Sequence, residues 1–186
     1  MSDFCVRIAG DDLTFSAAHF LTFGDQRESL HGHNYRVAAE VSAPLGEDQL
    51  VLDFVALAEL LKAILRELDH AVLVPAEHPS LRCSAGPEGV ELTHAGDRWL
   101  FPRSDCRLLP LAATTAELLA EYIGRQLRDQ IPSLTGRRPE RVRIELEEMP
   151  GRTAVCELSC SPSGATRRPP HHTGPKRQRS SRRTKS

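Results

Sequence analysis

From His31 to Val41 every second residue belongs to one set: His31, His33, Tyr35, Val37, Ala39 and Val41. Successive side chains of an extended chain point to opposite faces of a sheet, so this run is predicted to be a strand whose apolar face ends in two imidazoles. Arg36, Ala38 and Glu40 take the other face, and Pro44 and Gly46 end the strand. A third histidine, His19, closes the preceding strand-like segment Leu13–Ala18. A β-scaffold offers metal ligands in this way, and three neutral imidazoles with an open fourth position match a catalytic zinc site rather than a structural one. Spacing alone leaves the trio His19, His31 and His33 undecided, since H-x-H pairs also arise without a metal.

The rest of the chain supplies elements for such a strand to pack against. Asp53 caps a predicted helix in which Leu57, Leu60, Leu61, Ile64, Leu65 and Leu68 recur at helical spacing, with Asp69-His70 at its end. A second helix is predicted over about 115–130. Thr114-Thr115-Ala116-Glu117 has a capping-box pattern, Leu119, Tyr122, Ile123 and Leu127 form the buried stripe, and Pro132 and Gly136 stop it. Residues 4–9 and 12–20 read as a hairpin turning at Gly10-Asp11-Asp12, and 141–148 and about 153–160 as two final strands. Residues 75–110 are irregular and rich in Pro and Gly, with a short hairpin of Gly89–Thr93 and Arg98–Phe101 inside them. His78 and His94 fall in loops and read as ordinary satisfied histidines. The order predicts an α+β fold, an antiparallel four-stranded sheet with two helices on one face, whose open edges favour oligomerisation.

Charge divides the chain. Residues 161–186 hold 8 of the 24 basic residues and no acid, which leaves 16 bases against 25 acids in residues 1–160. The domain is therefore expected over 1–160, followed by a disordered basic tail over 161–186, too poor in apolar residues to offset its ordering entropy. Such a tail either binds nucleic acid or is a solvated extension. His171 and His172 belong to it. No run of about 18 apolar residues predicts a membrane span, and no secretory segment is predicted. Five cysteines (Cys5, Cys83, Cys106, Cys156, Cys160) without a CxxC pair fit a reducing cytoplasm.

Five segments in order, Phe15-Ser16-Ala17-Ala18-His19, His31-Gly32-His33-Asn34-Tyr35, Val51-Leu52-Asp53-Phe54, Asp69-His70 and Thr114-Thr115-Ala116-Glu117, resemble the 6-pyruvoyltetrahydropterin synthase family. That family includes the 6-carboxytetrahydropterin synthases of queuosine biosynthesis. The resemblance covers roughly residues 4–160. It implies the tunnelling fold (T-fold), trimers stacked into a homohexamer, and a zinc ion (Zn2+) held by His19, His31 and His33. It also implies 7,8-dihydroneopterin triphosphate as substrate, Asp69 and His70 as a proton relay, and Thr114, Thr115 and Glu117 as pterin contacts. In Leu146-Glu147-Glu148-Met149-Pro150 it makes Glu148 the anchor for the pterin ring. The segment 85–105 then reads as an enlarged loop.

One departure matters. The family places a cysteine base four residues before the first histidine of His-Gly-His, and here that position is Arg27. Glu28 follows it, three residues before His31, and resembles the type III branch in which glutamate replaces the cysteine. That branch implies a zinc-dependent lyase cleaving the substrate side chain to 6-hydroxymethyl-7,8-dihydropterin, a folate precursor, with Glu28 catalytic. The alternatives are a 6-carboxy- or 6-pyruvoyltetrahydropterin synthase, and, from a different class, a non-catalytic pterin-fold binding protein.

Overall fold

The structure, a computed structural model, describes residues 3–23 and 26–160. The chain opens with a long strand β1 (Cys5–His19), the two-residue strands β2 (Thr22–Phe23) and β3 (Gln26–Arg27), and β4 (His31–Ser42). Helix α1 (Phe54–Arg66) leads to β5 (Ala71–Pro75), then to β6 (Arg82–Gly86), β7 (Gly89–His94), β8 (Asp97–Phe101) and β9 (Cys106–Leu109). Helix α2 (Ala116–Thr135) and the strands β10 (Arg141–Met149) and β11 (Arg152–Ser159) complete the domain.

Four strands, in the order β11-β10-β4-β1, form the expected antiparallel sheet, and the short strands β5 and β9 extend it in parallel beyond β1 to six. β9 falls inside the segment read as irregular and β5 in the unassigned residues before it; each is only four or five residues long. Both helices pack on one face of the sheet and touch each other. Leu57, Leu61, Ile64, Leu65 and Leu68 from the α1 region and Leu119, Ile123 and Leu127 from α2 meet Phe15, Tyr35, Val37, Ile144 and Leu146 in one core. This is the α+β architecture expected from the amphipathic periods.

The first hairpin is not formed. Residues 5–19 are one strand, and both halves pair with β4, interrupted by a bulge in which Gly10–Leu13 stand against Val37 alone. Val6 and Ile8 pack toward the core before the bulge, and Leu13, Phe15, Ala17 and His19 after it, so the core-facing set switches from even to odd positions. A switch of that kind over Gly-Asp-Asp imitates a turn in the sequence, whereas here a bulge absorbs it.

Two helix boundaries also differ from expectation. Asp53 caps α1 as predicted, accepting from the Ala56 N–H at 2.9 Å. The N-cap of α2 is Thr115 rather than Thr114, and it accepts from the Leu118 N–H. Glu117 is then the second helical residue, one short of the position a capping box needs. Pro132 lies inside α2 and does not stop it. So near the helix end it removes one backbone bond, and the stop comes at Gly136, whose φ of +68° closes the helix in the left-handed conformation.

The segment predicted as an added hairpin is a three-stranded sheet in the order β6-β7-β8. It covers a second, smaller core of Phe20, Val74, Leu81, Val90, Leu92 and Cys106, with Trp99 packed against it. Among the described residues no helix is long and apolar enough to cross a membrane. The basic tail expected over 161–186 lies outside the described residues.

Candidate active site

The β1–β4 register places His19 opposite His31 and Ala17 opposite His33, so one rung of the sheet carries two of the three histidines and the third lies two rungs along. Alternation puts all three on the helix-covered face with Tyr35. Gly32 lies between the two β4 histidines, where a β-carbon would approach the Ala17 carbonyl oxygen to 3.3 Å, so the close strand approach favours glycine there. Ring centroids are 4.9 Å apart for His19–His31, 5.2 Å for His19–His33 and 4.8 Å for His31–His33. One ring nitrogen from each lies within 4.8 Å of the others.

Hydrogen bonds set which nitrogen is available. His19 Nδ1 donates to the Thr114 carbonyl at 2.9 Å, and His31 Nδ1 donates to the Ser29 carbonyl at 2.8 Å. With Nδ1 protonated and spoken for, each neutral ring keeps its lone pair on Nε2. His19 is 1% exposed, yet its Nε2 has no hydrogen-bond partner. Burial pushes the His19 imidazole below its ordinary value and His31 and His33 add to this, while the Thr114 carbonyl and the Glu148 carboxylate act in the opposite direction. A buried, unpartnered nitrogen beside two further imidazoles is the donor set a divalent metal requires, so His19, His31 and His33 could hold a metal ion.

Glu148 joins the same cluster. On β10, Val142, Ile144 and Leu146 are buried on the helix face, and Glu148 continues that set. Its Oε1 lies 3.5 Å from His19 Nε2 and 3.7 Å from His33 Nε2 and accepts from the Tyr35 hydroxyl at 3.4 Å. The neighbouring Glu147 faces the other way, where its carboxylate accepts from the Gly151 N–H at 2.9 Å. Sequence reasoning passed over Tyr35, although its place two residues after His33 was the available signal. It is fully buried, stacks on Phe15 at 4.6 Å, and its hydroxyl is pushed well above the ordinary value by burial and by Glu148.

The Thr-Thr-x-Glu segment divides its roles. The Thr114 carbonyl orients His19, while its buried hydroxyl oxygen has no partner; Thr115 caps α2; Glu117 is exposed on the first helical turn. Glu28 is exposed in the segment entering β4, its N–H donating to the Leu21 carbonyl at 2.9 Å.

Asp69 and His70 stand elsewhere. Asp69 Oδ1 accepts from the Ser16 N–H at 2.8 Å, and the His70 N–H donates to the Ser16 carbonyl at 2.6 Å, so the pair docks on β1 like a short strand. His70 Nδ1 is 2.9 Å from Asp69 Oδ2, and His70 has a φ of +54°, a left-handed backbone uncommon for a side-chain-bearing residue. Burial works to raise the Asp69 carboxyl, but the Ser16 N–H and His70 outweigh it and hold the group below the usual carboxylate range. His70 lines a cavity of about 410 Å³ with Ser16, Ala17, Ala18, Gly32, His33 and Asn34. Ser16, Ala18, Gly32 and Asn34 alternate with the residues of the histidine face, so Asp69-His70 open mainly toward the opposite face of the sheet, and His33 is the member of the cluster that lines the same cavity.

A two-helix α+β fold with three imidazoles at one end of its central strands defines a class of protein, and comparison with known proteins gives the class a name. The family model for 6-pyruvoyl tetrahydropterin synthase matches residues 11–159, and the chain belongs to that family. A 6-pyruvoyl tetrahydropterin synthase from Plasmodium falciparum has a similar structure, with a TM-score of 0.78 at 28% identity over 86% of this chain and 99% of that one. The Plasmodium vivax 6-pyruvoyltetrahydropterin synthase, in a variant whose catalytic glutamate is replaced by alanine, gives a TM-score of 0.78 at 25% identity over 86% of this chain and 99% of its own. A Pyrococcus abyssi protein with the provisional name 6-carboxy-5,6,7,8-tetrahydropterin synthase is 30% identical over 154 residues, 81% of this chain and 90% of the relative. The 6-carboxy-5,6,7,8-tetrahydropterin synthase of Aquifex aeolicus is 27% identical over 103 residues, 54% of this chain and 59% of its own.

Proposed function

We propose that the protein is a zinc-dependent lyase of the type III kind, acting on 7,8-dihydroneopterin triphosphate and cleaving its side chain to 6-hydroxymethyl-7,8-dihydropterin. The observation that carries this reading is Glu28, a carboxylate three residues before His31 on the segment that leads into the imidazole cluster, with no cysteine beside it. The catalytic glutamate of the P. vivax neighbour supports it.

His19 and His31, through Nε2, would hold the ion together with His33. A zinc ion bound there supplies Lewis acidity, which acidifies the hydroxyls of the substrate side chain. The Glu28 carboxylate takes the proton from the C2′ hydroxyl, the C1′–C2′ bond breaks, and C2′ becomes the carbonyl of the departing aldehyde fragment. The electron pair passes to C1′ and the ring, and C1′ takes up a proton to become the hydroxymethyl carbon. Glu148 offers two carboxylate oxygens to the 2-amino group and N3–H of the pterin, with Thr114, Thr115 and Glu117 alongside. Asp69 and His70 open mainly on the other sheet face, and a site shared between copies of the chain, as in a homo-oligomer, would bring them to the substrate as the returning acid.

A second reading, a 6-carboxytetrahydropterin synthase, is favoured by the names of the Pyrococcus and Aquifex relatives. One incubation separates the two: zinc-loaded protein with 7,8-dihydroneopterin triphosphate, products identified by mass spectrometry. The expected product is 6-hydroxymethyl-7,8-dihydropterin. A 6-carboxy- or 6-pyruvoyltetrahydropterin would replace the type III assignment, and binding without turnover would leave a non-catalytic pterin-binding protein.

A further inference from the structure

Two departures from the family pattern meet in space. Arg27 stands where the resemblance places a thiol, and β6-β7-β8 includes the segment that the resemblance reads as an enlarged loop. Arg27 Nε donates to Asp97 Oδ2 at 2.6 Å, and its guanidinium carbon lies 4.9 Å from the centroid of the Trp99 ring. Trp99 also stacks on Phe20, the residue after His19, with centroids 4.9 Å apart. The far end of the same guanidinium, Nη1, donates to the Glu28 carbonyl at 3.3 Å. Glu28 is therefore fixed at both backbone groups, its N–H by Leu21 and its C=O by Arg27. The next carbonyl along, that of Ser29, orients His31.

We propose that the β6-β7-β8 sheet is a seat for the active-site segment: Arg27 is a positioning residue that, held by Asp97 and Trp99, fixes the direction from which Glu28 reaches the substrate. A planar guanidinium can lie on an aromatic ring and donate from two edges at once, which an ammonium cannot. The fold gives the contact little other purpose. The Asp97 carboxylate is 51% exposed, and exposed ion pairs contribute little to stability. Small displacements of a reacting group, by contrast, cost large factors in rate. The inference rests on the reading of Glu28 as the base.

The test compares Arg27→Ala, Arg27→Lys, Asp97→Asn and Glu28→Gln in the full, metal-loaded chain, with turnover of 7,8-dihydroneopterin triphosphate and hydrogen exchange at the Glu28 amide as readouts. Arg27→Ala should lower kcat at least about tenfold, leave KM within about twofold and the metal content unchanged, and speed exchange of the Glu28 amide about tenfold. Asp97→Asn should give a smaller loss of the same kind, and Arg27→Lys should recover only part of the alanine loss. A folded Arg27→Ala with the original kcat and amide protection overturns the proposal. So does a rise in KM at unchanged kcat, which would make Arg27 a substrate contact. Unimpaired turnover in Glu28→Gln would instead remove the reading of Glu28 as base, and the amide exchange would still decide whether Arg27 holds the segment. If Glu28→Gln is inactive and Arg27→Ala is not impaired, the positioning role alone fails.

Discussion

The domain contains two groups of histidines, and His78 of the second uses its ring nitrogens in the opposite way to His19 and His31 of the first. In the first, His19 and His31 bond outward through Nδ1 to carbonyls of Thr114 and Ser29, which leaves Nε2 lone pairs converging with His33. In the second, His78 Nδ1 accepts from the N–H groups of Ser80 and Leu81, at 3.2 and 2.9 Å, and Nε2 donates to the Thr22 hydroxyl at 2.6 Å. Its neighbour His94, 6.2 Å away between ring centroids, is neither in a loop nor satisfied as the sequence suggested: it closes β7 as a buried strand residue, and its Nε2 has no hydrogen-bond partner. The first group turns its lone pairs toward a common point, whereas His78 spends Nδ1 on its own turn and Nε2 on the Thr22 hydroxyl. Nearness of imidazoles does not make a metal site; what separates His19 and His31 from His78 is that their Nδ1 donates, which leaves the Nε2 lone pair uncommitted.

Metal content tests that contrast most strongly. His19→Ala is expected to weaken zinc binding by at least about a hundredfold, as measured by competition with a chelating dye, because it removes a ligand from a set of three. His78→Ala should leave the zinc affinity and turnover unchanged. It should instead cost about 1–2 kcal/mol in urea unfolding, since it strands two backbone N–H groups; zinc loss in this variant would erase the distinction. The smallest effect is in pH. Burial lowers both His19 and His78 from the ordinary imidazole value, with His94 adding to the shift at His78. The unfolded chain then binds more protons than the folded one, so the stability of the metal-free protein should be level above about pH 7 and fall as pH drops through about 6.5. The slope of the urea midpoint against pH should be shallower in His78→Ala.

What could be read in the sequence followed local period. The core face of β4 with His31 and His33, and the apolar stripe and Asp53 cap of α1, follow from alternation or helical spacing over a few residues, whereas His19 joined the pair through the resemblance. What could not be read depended on partners far along the chain. The β10–β4 register pairs Leu146 with Val37 and Glu147 with Arg36, and one further step brings Glu148 to Tyr35 and the imidazoles. Nothing local to either segment announces that meeting. The contact of Arg27 with Trp99 is of the same kind, set by how a separate small sheet lies on the main one. Asp69-His70 shows the converse: the motif was legible, but the face of the sheet on which it docks was not.

The bulge in β1 sets a length rule for the chain. Four residues opposite one is an excess of three, an odd number, and so it inverts the phase of everything beyond it. Adding or removing a single residue at Gly10–Leu13 would force one half of the strand to turn over: either Val6 and Ile8 leave the core, or His19 leaves its two companions. A change of two residues keeps both halves facing as they do. The bulge thus acts as a phase lock between folding and chemistry, and length variation there is tolerable only in even steps.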